Sequence, residues 1–497
     1  MSNVIDMATP WLSILSDVFL FFVGLIVLLL IVLFVRDITQ TKDAVLRNYP
    51  VIGHFRYIFS SLGEFFRQYF FAMDREEMPF NRAEREWIHR ASKDKGVNIA
   101  FGSTKNLSQV GTMIFENCPF PTLDEEATDI RPISIGEGYC KTPYTAKSLI
   151  NISAMSFGAL SRPAVQALSR GAKMAGCWYN TGEGGLSSFH LEGGADLVFQ
   201  IGTAKYGVRK EDGSLSDQKL REIAAHDQVK MFEIKMSQGA KPGKGGILPA
   251  DKVTEEIAKI RGIEVGKASI SPNRHLDIKS VTDLLDMIQR IRSVTGKPTG
   301  FKSVIGGIQW VEELCIEINK RGISSAPDFI TIDSGDGGTG AAPMTLMDHV
   351  GLPIKESLPA VVDILEKHQL RERIKVITSG KLINPVGVAW ALCAGADFVN
   401  SARGFMFALG CIQSLKCNKN TCPTGITTHN SRLQRGLNPE DKSVKVANYV
   451  KQINYAVGII SHSCGVREPR GLGRQHVRIV QDNGLSVSME QLYPSSR

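Results

Sequence analysis

Residues 410–425 read GCIQSLKCNKNTCPTG, which places Cys411, Cys417 and Cys422 within twelve residues of one another. Thiolates are soft ligands suited to iron–sulfur clusters, and loops of this length between ligands can wrap one. Pro423 keeps the loop from running on into helix. Zinc would usually want a fourth ligand, for which His429 is at hand, and plain buried thiols are the remaining reading. A second stretch, IDSGDGGTGAAP (332–343), sets Gly335, Gly337, Gly338 and Gly340 around Asp336 and Thr339, just after Ser334. Glycine backbone can approach a ligand closely, so this reads as a phosphate cradle, with a plain tight loop as the alternative. TSGK (378–381), with Ser379 and Gly380, and NSARG (400–404), with Arg403, end two further apolar runs in small residues. Three such ends in succession favour a phosphate-bearing cofactor.

Cations add to the pattern. Lys302 sits inside the apolar run PTGFKSV, where it could stabilise negative charge on a reduced flavin ring or belong to a buried ion pair. EIKMSQGAKPGKGG (233–246) carries Lys235, Gln238, Lys241 and Lys244 among glycines, a grouping that suits a small acidic substrate. NTGEGG (180–185) puts Glu183 in a flexible turn.

Something must hold these residues together in space. Eight apolar runs are predicted strands: 149–157, 177–182, 196–202, 231–237, 298–304, 328–335, 374–380 and 397–402. Helical patterns such as SRPAVQALSRGAKMAG and SVTDLLDMIQRIRSVTG fall between most of them. Strands apolar along their length and alternating with helices indicate a parallel sheet. Eight such units in roughly 250 residues predict a (β/α)8 barrel, with a doubly wound open sheet as the runner-up. The barrel is favoured because the polar and glycine residues follow the strands, where a barrel carries its site.

The whole chain has 497 residues, 43% apolar and 22% charged, a globular composition. A net charge of +8 without a Lys/Arg stripe interleaved with aromatics argues against nucleic-acid binding. Nine cysteines, irregularly spaced outside the one cluster, do not make a disulfide framework. Residues 18–35, VFLFFVGLIVLLLIVLFV, are 18 consecutive apolar residues, enough to cross a bilayer core. The upstream charges are Asp6 and Asp17, unlike a signal peptide. Arg36, Lys42 and Arg47 follow, so the large C-terminal part is expected in the cytoplasm, with the chain a single-pass protein of the inner (cytoplasmic) membrane. The expected organisation is an anchor (1–36), a juxtamembrane aromatic and helical region (37–130), the barrel with its cysteine loop (131–430) and a tail packed on it (431–497). The aromatics of 50–95 could lie on the membrane interface, but a helical collar on the barrel is the favoured expectation.

MSFGALS, TGEGG, KMSQGAKPGKGG, SGDGGTGAAP and LGCIQSLKCNKNTCPTGI occur in this order, and as a set they resemble the FMN-binding synthase domain of glutamate synthases, over about residues 130–430. The anchored N-terminus resembles a bacterial branch of FMN-binding glutamate synthase family proteins. The resemblance implies that Cys411, Cys417 and Cys422 hold a 3Fe-4S cluster and that electrons pass through it to FMN. Ammonia would condense with 2-oxoglutarate to 2-iminoglutarate, and hydride from reduced FMN would make L-glutamate. By matched position, Gln238, Lys241 and Arg261 would hold substrate carboxylates, with Glu183 near the reacting end. Lys302, Ser334, Gly335, Gly337, Gly338, Thr339, Ser379, Gly380 and Arg403 would hold FMN. Lys244 stands where the family usually has an acid, Ile247 where it has Gln, and SPNRHLDI (271–278) replaces a proline- and histidine-rich segment. These departures bear on the substrate more than on the flavin. The alternative is a membrane-anchored FMN/iron–sulfur oxidoreductase acting on another 2-oxo acid or imine, or passing electrons to a membrane carrier. No G-x-G-x-x-G after a strand suggests an NADPH domain, so a ferredoxin or another protein is the expected donor, and a separate glutaminase is a possible ammonia source.

Overall fold

The computed structural model describes residues 2–71 and 73–494. The chain forms two compact units, Met1–Ala83 and Glu84–Arg497.

The first unit begins with the helix Ser2–Thr39, in which the 27-residue stretch Ser13–Thr39 has a most apolar window of mean hydropathy 3.5, none of it buried. By length and composition it could cross a bilayer. Asp43 caps the short helix Ala44–Asn48 by accepting from the Val45 and Leu46 amides, and the helix Gly53–Phe66 follows. Within this unit Phe55, Phe59, Phe66, Phe70 and Phe71 are exposed; the side chain of Phe65 lies outside the described residues.

In the second unit the eight strands are β1 (Ile150–Ile152), β2 (Tyr179–Asn180), β3 (Leu197–Ile201), β4 (Val229–Lys235), β5 (Thr299–Val304), β6 (Phe329–Asp333), β7 (Lys375–Ser379) and β8 (Phe398–Ser401). Each lies in its expected run except β4, which starts two residues earlier. All pair in parallel and in chain order, and β8 closes on β1, with Asn400 opposite Asn151. This is a closed (β/α)8 barrel, not an open sheet. The helices start and stop where local chemistry dictates. Ser161 and Ser280 cap Arg162–Ala175 and Val281–Thr295, and Gly176 and Gly296 end them at φ 66° and 71°, left-handed positions that a side chain would strain.

An antiparallel hairpin, Ile133–Ile135 with Tyr144–Ala146, closes the floor of the barrel. Ile135, Tyr144 and Ala146 pack into one buried cluster with Trp178, Val198, Met231, Phe329 and Phe398, all at or near the starts of strands. The floor also holds a buried charge network. Asp328 accepts from Arg292 Nε at 2.9 Å, Arg373 Nη2 at 2.8 Å and the Thr299 amide at 2.8 Å.

The C-terminal region packs on the barrel's helical layer. The 25-residue helix Pro439–Ser463 lies against Arg162–Ala175 so closely that a Cβ on Gly171 would come within 2.5 Å of Val446. The chain then adds Val477–Val480 to an antiparallel sheet with Met113–Phe115.

Candidate active site

In a (β/α)8 barrel the strand C-termini and the loops after them share one face. That rule brings together residues far apart in sequence. Strand alternation points Glu233 and Lys235, two apart on β4, to the same side, the barrel interior. Glu233 is satisfied there by Asn180 Nδ2 (2.8 Å), Gln200 Nε2 (2.6 Å) and Thr331 Oγ1 (2.7 Å). One layer higher, Lys235 Nζ lies 2.6 Å from Glu183 Oε1, at the end of the β2 loop.

Glu183 is the centre of a cationic group. Burial pushes its carboxyl up, but Lys235, Lys241 and Arg261 outweigh this and hold it below the usual range, so it stays anionic. Burial draws the Lys235 ammonium below its ordinary value, Glu183 counters this, and Lys302, its register partner on β5, adds repulsion. Lys241, also buried, is lowered to about 8, first by burial and then by Lys235. Arg261 donates to Ser269 Oγ at 3.2 Å and lies with Cζ 5.2 Å from the centre of the Tyr206 ring. Its Nε is buried with no hydrogen-bond partner among the described residues. Two glycines make room for Glu183. A Cβ on Gly246 would stand 2.3 Å from Oε1, and one on Gly202 2.5 Å from its Cβ.

Lys302 is 5% exposed, and its ammonium makes no hydrogen bond or ion pair among the described residues. The alternative of a buried ion pair is therefore not what the chain uses. A buried ammonium without an acid is unfavourable unless something else neutralises it.

The glycine loop after β6 faces the ends of β7 and β8. Asp333 accepts from Ser379 Oγ at 2.7 Å and from the Gly239 amide at 2.8 Å, tying three strand ends together. Ser334 donates to Asp336, whose other oxygen meets Lys381 Nζ at 2.8 Å, and the Ile354 amide donates to Ser334 Oγ at 3.0 Å. A Cβ on Gly380 (φ 125°) would fall 2.1 Å from Ser334 Cβ, one on Gly335 2.3 Å from the Gly351 carbonyl, and one on Gly338 3.0 Å from Arg403 Nε. Gly337 packs against Gly239 in the same way. Gln238 spends its Nε2 on Thr339 Oγ1 at 3.1 Å, so it bridges the two loops.

The cysteine loop leaves the helix Arg403–Leu409 and is moored to the loop after β1. His429 Nε2 lies 2.9 Å from the Gly158 carbonyl, and the Ser161 amide donates to the Ile426 carbonyl at 2.8 Å. Lys252, 2% exposed, donates to the carbonyls of Ala159 and Cys417, both at 3.1 Å. Cys411 is pushed up to about 12 by burial, with Cys417 and Cys422 adding to it, so the three thiols sense one another. Burial raises Cys422 too, but hydrogen bonds from Thr424 and Thr427 carry it below its ordinary value. Among the described residues no three His, Cys, Asp or Glu stand together as ligands of one metal ion.

Ile247 follows Gly246, which packs on Glu183, and pairs with Ile270 in a short antiparallel ladder, both exposed, while Leu248 turns inward. Sequence reading passed over Asp333 and Lys381, and quoted Lys235 without giving it a role. A signal for Lys235 was present: two charged residues spaced by two within an apolar strand must share a side.

Residues 117–467 match the family model described as the conserved region in glutamate synthase. The chain is 39% identical to the glutamate synthase large subunit-like protein YerD of Bacillus subtilis over 95% of this chain and 97% of that one. It is 34% identical to the archaeal-type glutamate synthase [NADPH] of Thermotoga neapolitana over 64% of this chain, a match that spans 59% of that relative. The barrel also resembles that of flavocytochrome b2, at a TM-score of 0.46 and 15% identity over 85% of each chain, too distant to add to the fold. The extent of the first two matches establishes that the chain belongs to the glutamate synthase family, oxidoreductases that act on CH–NH2 donors.

Proposed function

We propose that the chain is a glutamate-synthase-type flavoenzyme that reductively aminates a 2-oxo acid, 2-oxoglutarate first, at the C-terminal mouth of the barrel. The observation that carries this is the pair of unspent buried cations, Lys302 and Lys241, beside the anionic Glu183. FMN fits the residues present: Gly335 and Gly380 let the strand ends pack closely on Gly351 and Ser334, Arg403 lies against Gly338 beside them, and the Lys302 ammonium, which no acid among the described residues takes up, offers a positive charge to the ring. Cys411, Cys417 and Cys422 share one loop, and Cys417 and Cys422 lie near enough to Cys411 to disfavour its thiolate, so a 3Fe-4S cluster would take these three as its ligands. When bound, FMN supplies a hydride, and the cluster supplies the single electrons that restore it.

The chain's own residues do the rest. Lys241 and the unspent Nε of Arg261 hold substrate carboxylate. Glu183 and Lys235 share a hydrogen bond along which a proton can move as the imine forms and is reduced. Lys252 sets a buried positive charge by the cysteine loop. Electrons come from a ferredoxin-like protein and ammonia from solution or a separate glutaminase. The apolar helix holds the chain in the cytoplasmic membrane, with the barrel on the side of Lys42 and Arg47.

The full chain, purified anaerobically in detergent, is photoreduced and then given 2-oxoglutarate and ammonium. Flavin reoxidation with matching glutamate is the expected result. A flavin that stays reduced overturns 2-oxoglutarate as substrate. Full folding with no bound flavin overturns the cofactor reading. Ile247 and Lys244 favour a second reading, the same chemistry on another 2-oxo acid. Under it, Ile247→Gln increases turnover of 2-oxoglutarate; unchanged kinetics would dismiss the position, as its exposure suggests.

A further inference from the structure

We propose that the helix Gly53–Phe66 and the aromatics just after it lie in the surface of the phospholipid bilayer, as a second membrane contact beside the apolar span. This rests on the reading of Ser13–Thr39 as that span. Three observations carry it. First, Phe55, Ile58, Phe59, Leu62 and Phe66 recur at helical spacing on one face and are 54, 51, 66, 42 and 38% exposed. Such a stripe normally packs against protein; within its own compact unit it stays exposed, and Phe70 and Phe71 continue it. The rings of Phe55 and Phe59 stack with their centroids 6.2 Å apart, so the face is continuous.

Second, the helix is fastened to the end of the span. Buried Asp37, in the last turn of the apolar helix, accepts from the Val51 amide at 2.9 Å and meets His54 Nε2 at 2.9 Å. Tyr57 donates to Asp43, and Gln40 Nε2 donates to the Asp43 carbonyl at 2.7 Å. The turn 40–52 is thus a built joint that starts the aromatic face where the span leaves the hydrocarbon.

Third, the joint sorts charge. It turns Asp37 and Asp43 to its own hydrogen bonds and leaves Arg36, Lys42, Arg47 and Arg56 exposed. Cations beside an aromatic stripe match an anionic lipid surface. A bilayer is therefore a better occupant than an acidic or neutral protein surface, which would leave the stripe's length next to the span unexplained.

The test places p-benzoylphenylalanine singly at Leu25, Phe59 or Ser61 in the full chain, reconstituted in vesicles of phosphatidylethanolamine and phosphatidylglycerol, and reads photoadducts by mass spectrometry. Lipid adducts at Leu25 and Phe59, several-fold above Ser61 on the polar side, are expected. An adduct at Leu25 without one at Phe59 leaves the span standing and overturns the interfacial helix. An adduct from Phe59 to a peptide of residues 84–494 restores the collar and also overturns it. No lipid adduct at Leu25 defeats the span itself and the inference with it. Phe55→Ser combined with Phe59→Ser gives a second readout: trypsin should then cleave after Arg56 in vesicles as fast as in detergent, while equal cleavage of the unaltered chain in both media would contradict the proposal.

Discussion

The two ends of this barrel treat buried charge in opposite ways. At the floor, Asp328 has both oxygens met by Arg292, Arg373 and the Thr299 amide, and a hydrophobic hairpin seals the network from water. At the mouth, Lys302 and Lys241 are as deeply buried and have no hydrogen-bond partner among the described residues, while Arg261 keeps an orphaned Nε. A charge whose partners are all protein holds the fold. A charge held dry without a partner is maintained for something that arrives. The same fold therefore separates a structural end from a reactive end by whether its electrostatics are closed.

The sharpest way to break that comparison is at Glu183, the acid that Lys235, Lys241 and Arg261 surround. Glu183→Gln removes the proton partner of Lys235 and should lower kcat by roughly 10²–10⁴-fold, the range for a lost general acid or base. A loss confined to KM would mean that Glu183 only binds. Asp328→Asn does the reverse. It strands two buried guanidiniums and should cost about 3–5 kcal/mol in denaturant unfolding, with kcat of the surviving folded protein near that of the original. If stability is unchanged, the floor network is not what holds the hairpin. Lys302→Met is the milder probe. It should weaken flavin binding about tenfold or more, as for one lost charged hydrogen bond, and leave the flavin-free protein as stable or about 1 kcal/mol more so, since an uncompensated buried cation is gone. Flavin affinity that does not change would show that Lys302 faces something else.

Much of this contrast could be read in the sequence, and the reason is local. Strand alternation and glycine are short-range signals, so the eight strands, the loop 335–340 and the caps Ser161 and Ser280 were legible from neighbours alone. Glu183, Lys241 and Arg403 were legible as types in unusual company. What could not be read depends on contacts across the chain. Asp333 binds Ser379, 46 positions away, and the Gly239 amide, 94 away; nothing near Asp333 announces either. Asp336, an acid within a phosphate cradle, makes sense only once Lys381 and Ser334 are beside it. What covers the aromatic helix is not legible for the same reason: its stripe looks alike whether protein or lipid is to meet it.

Lys241 gives the smallest and most diagnostic effect. Its proton leaves at about 8, well below the ordinary lysine value, because burial and Lys235 both disfavour the charged form. Below that pH it is a cation able to hold a substrate carboxylate; above it the group becomes neutral. KM for the 2-oxo acid should therefore be flat on the acid side of 8 and rise by up to about tenfold per pH unit on the alkaline side, with kcat less affected, since carboxylate grip is shared by ground and transition states. Lys241→Arg should push the rise to higher pH, because a guanidinium keeps its charge throughout. The direction is informative as well as the position. If Lys241 instead acted as a base, activity would increase through the same pH range, and the substitution by Arg would abolish it rather than shift it. A KM that ignores pH between 7 and 9 would place the substrate carboxylate on Arg261 alone, and would make Lys241 part of the closed electrostatics that otherwise belong to the floor.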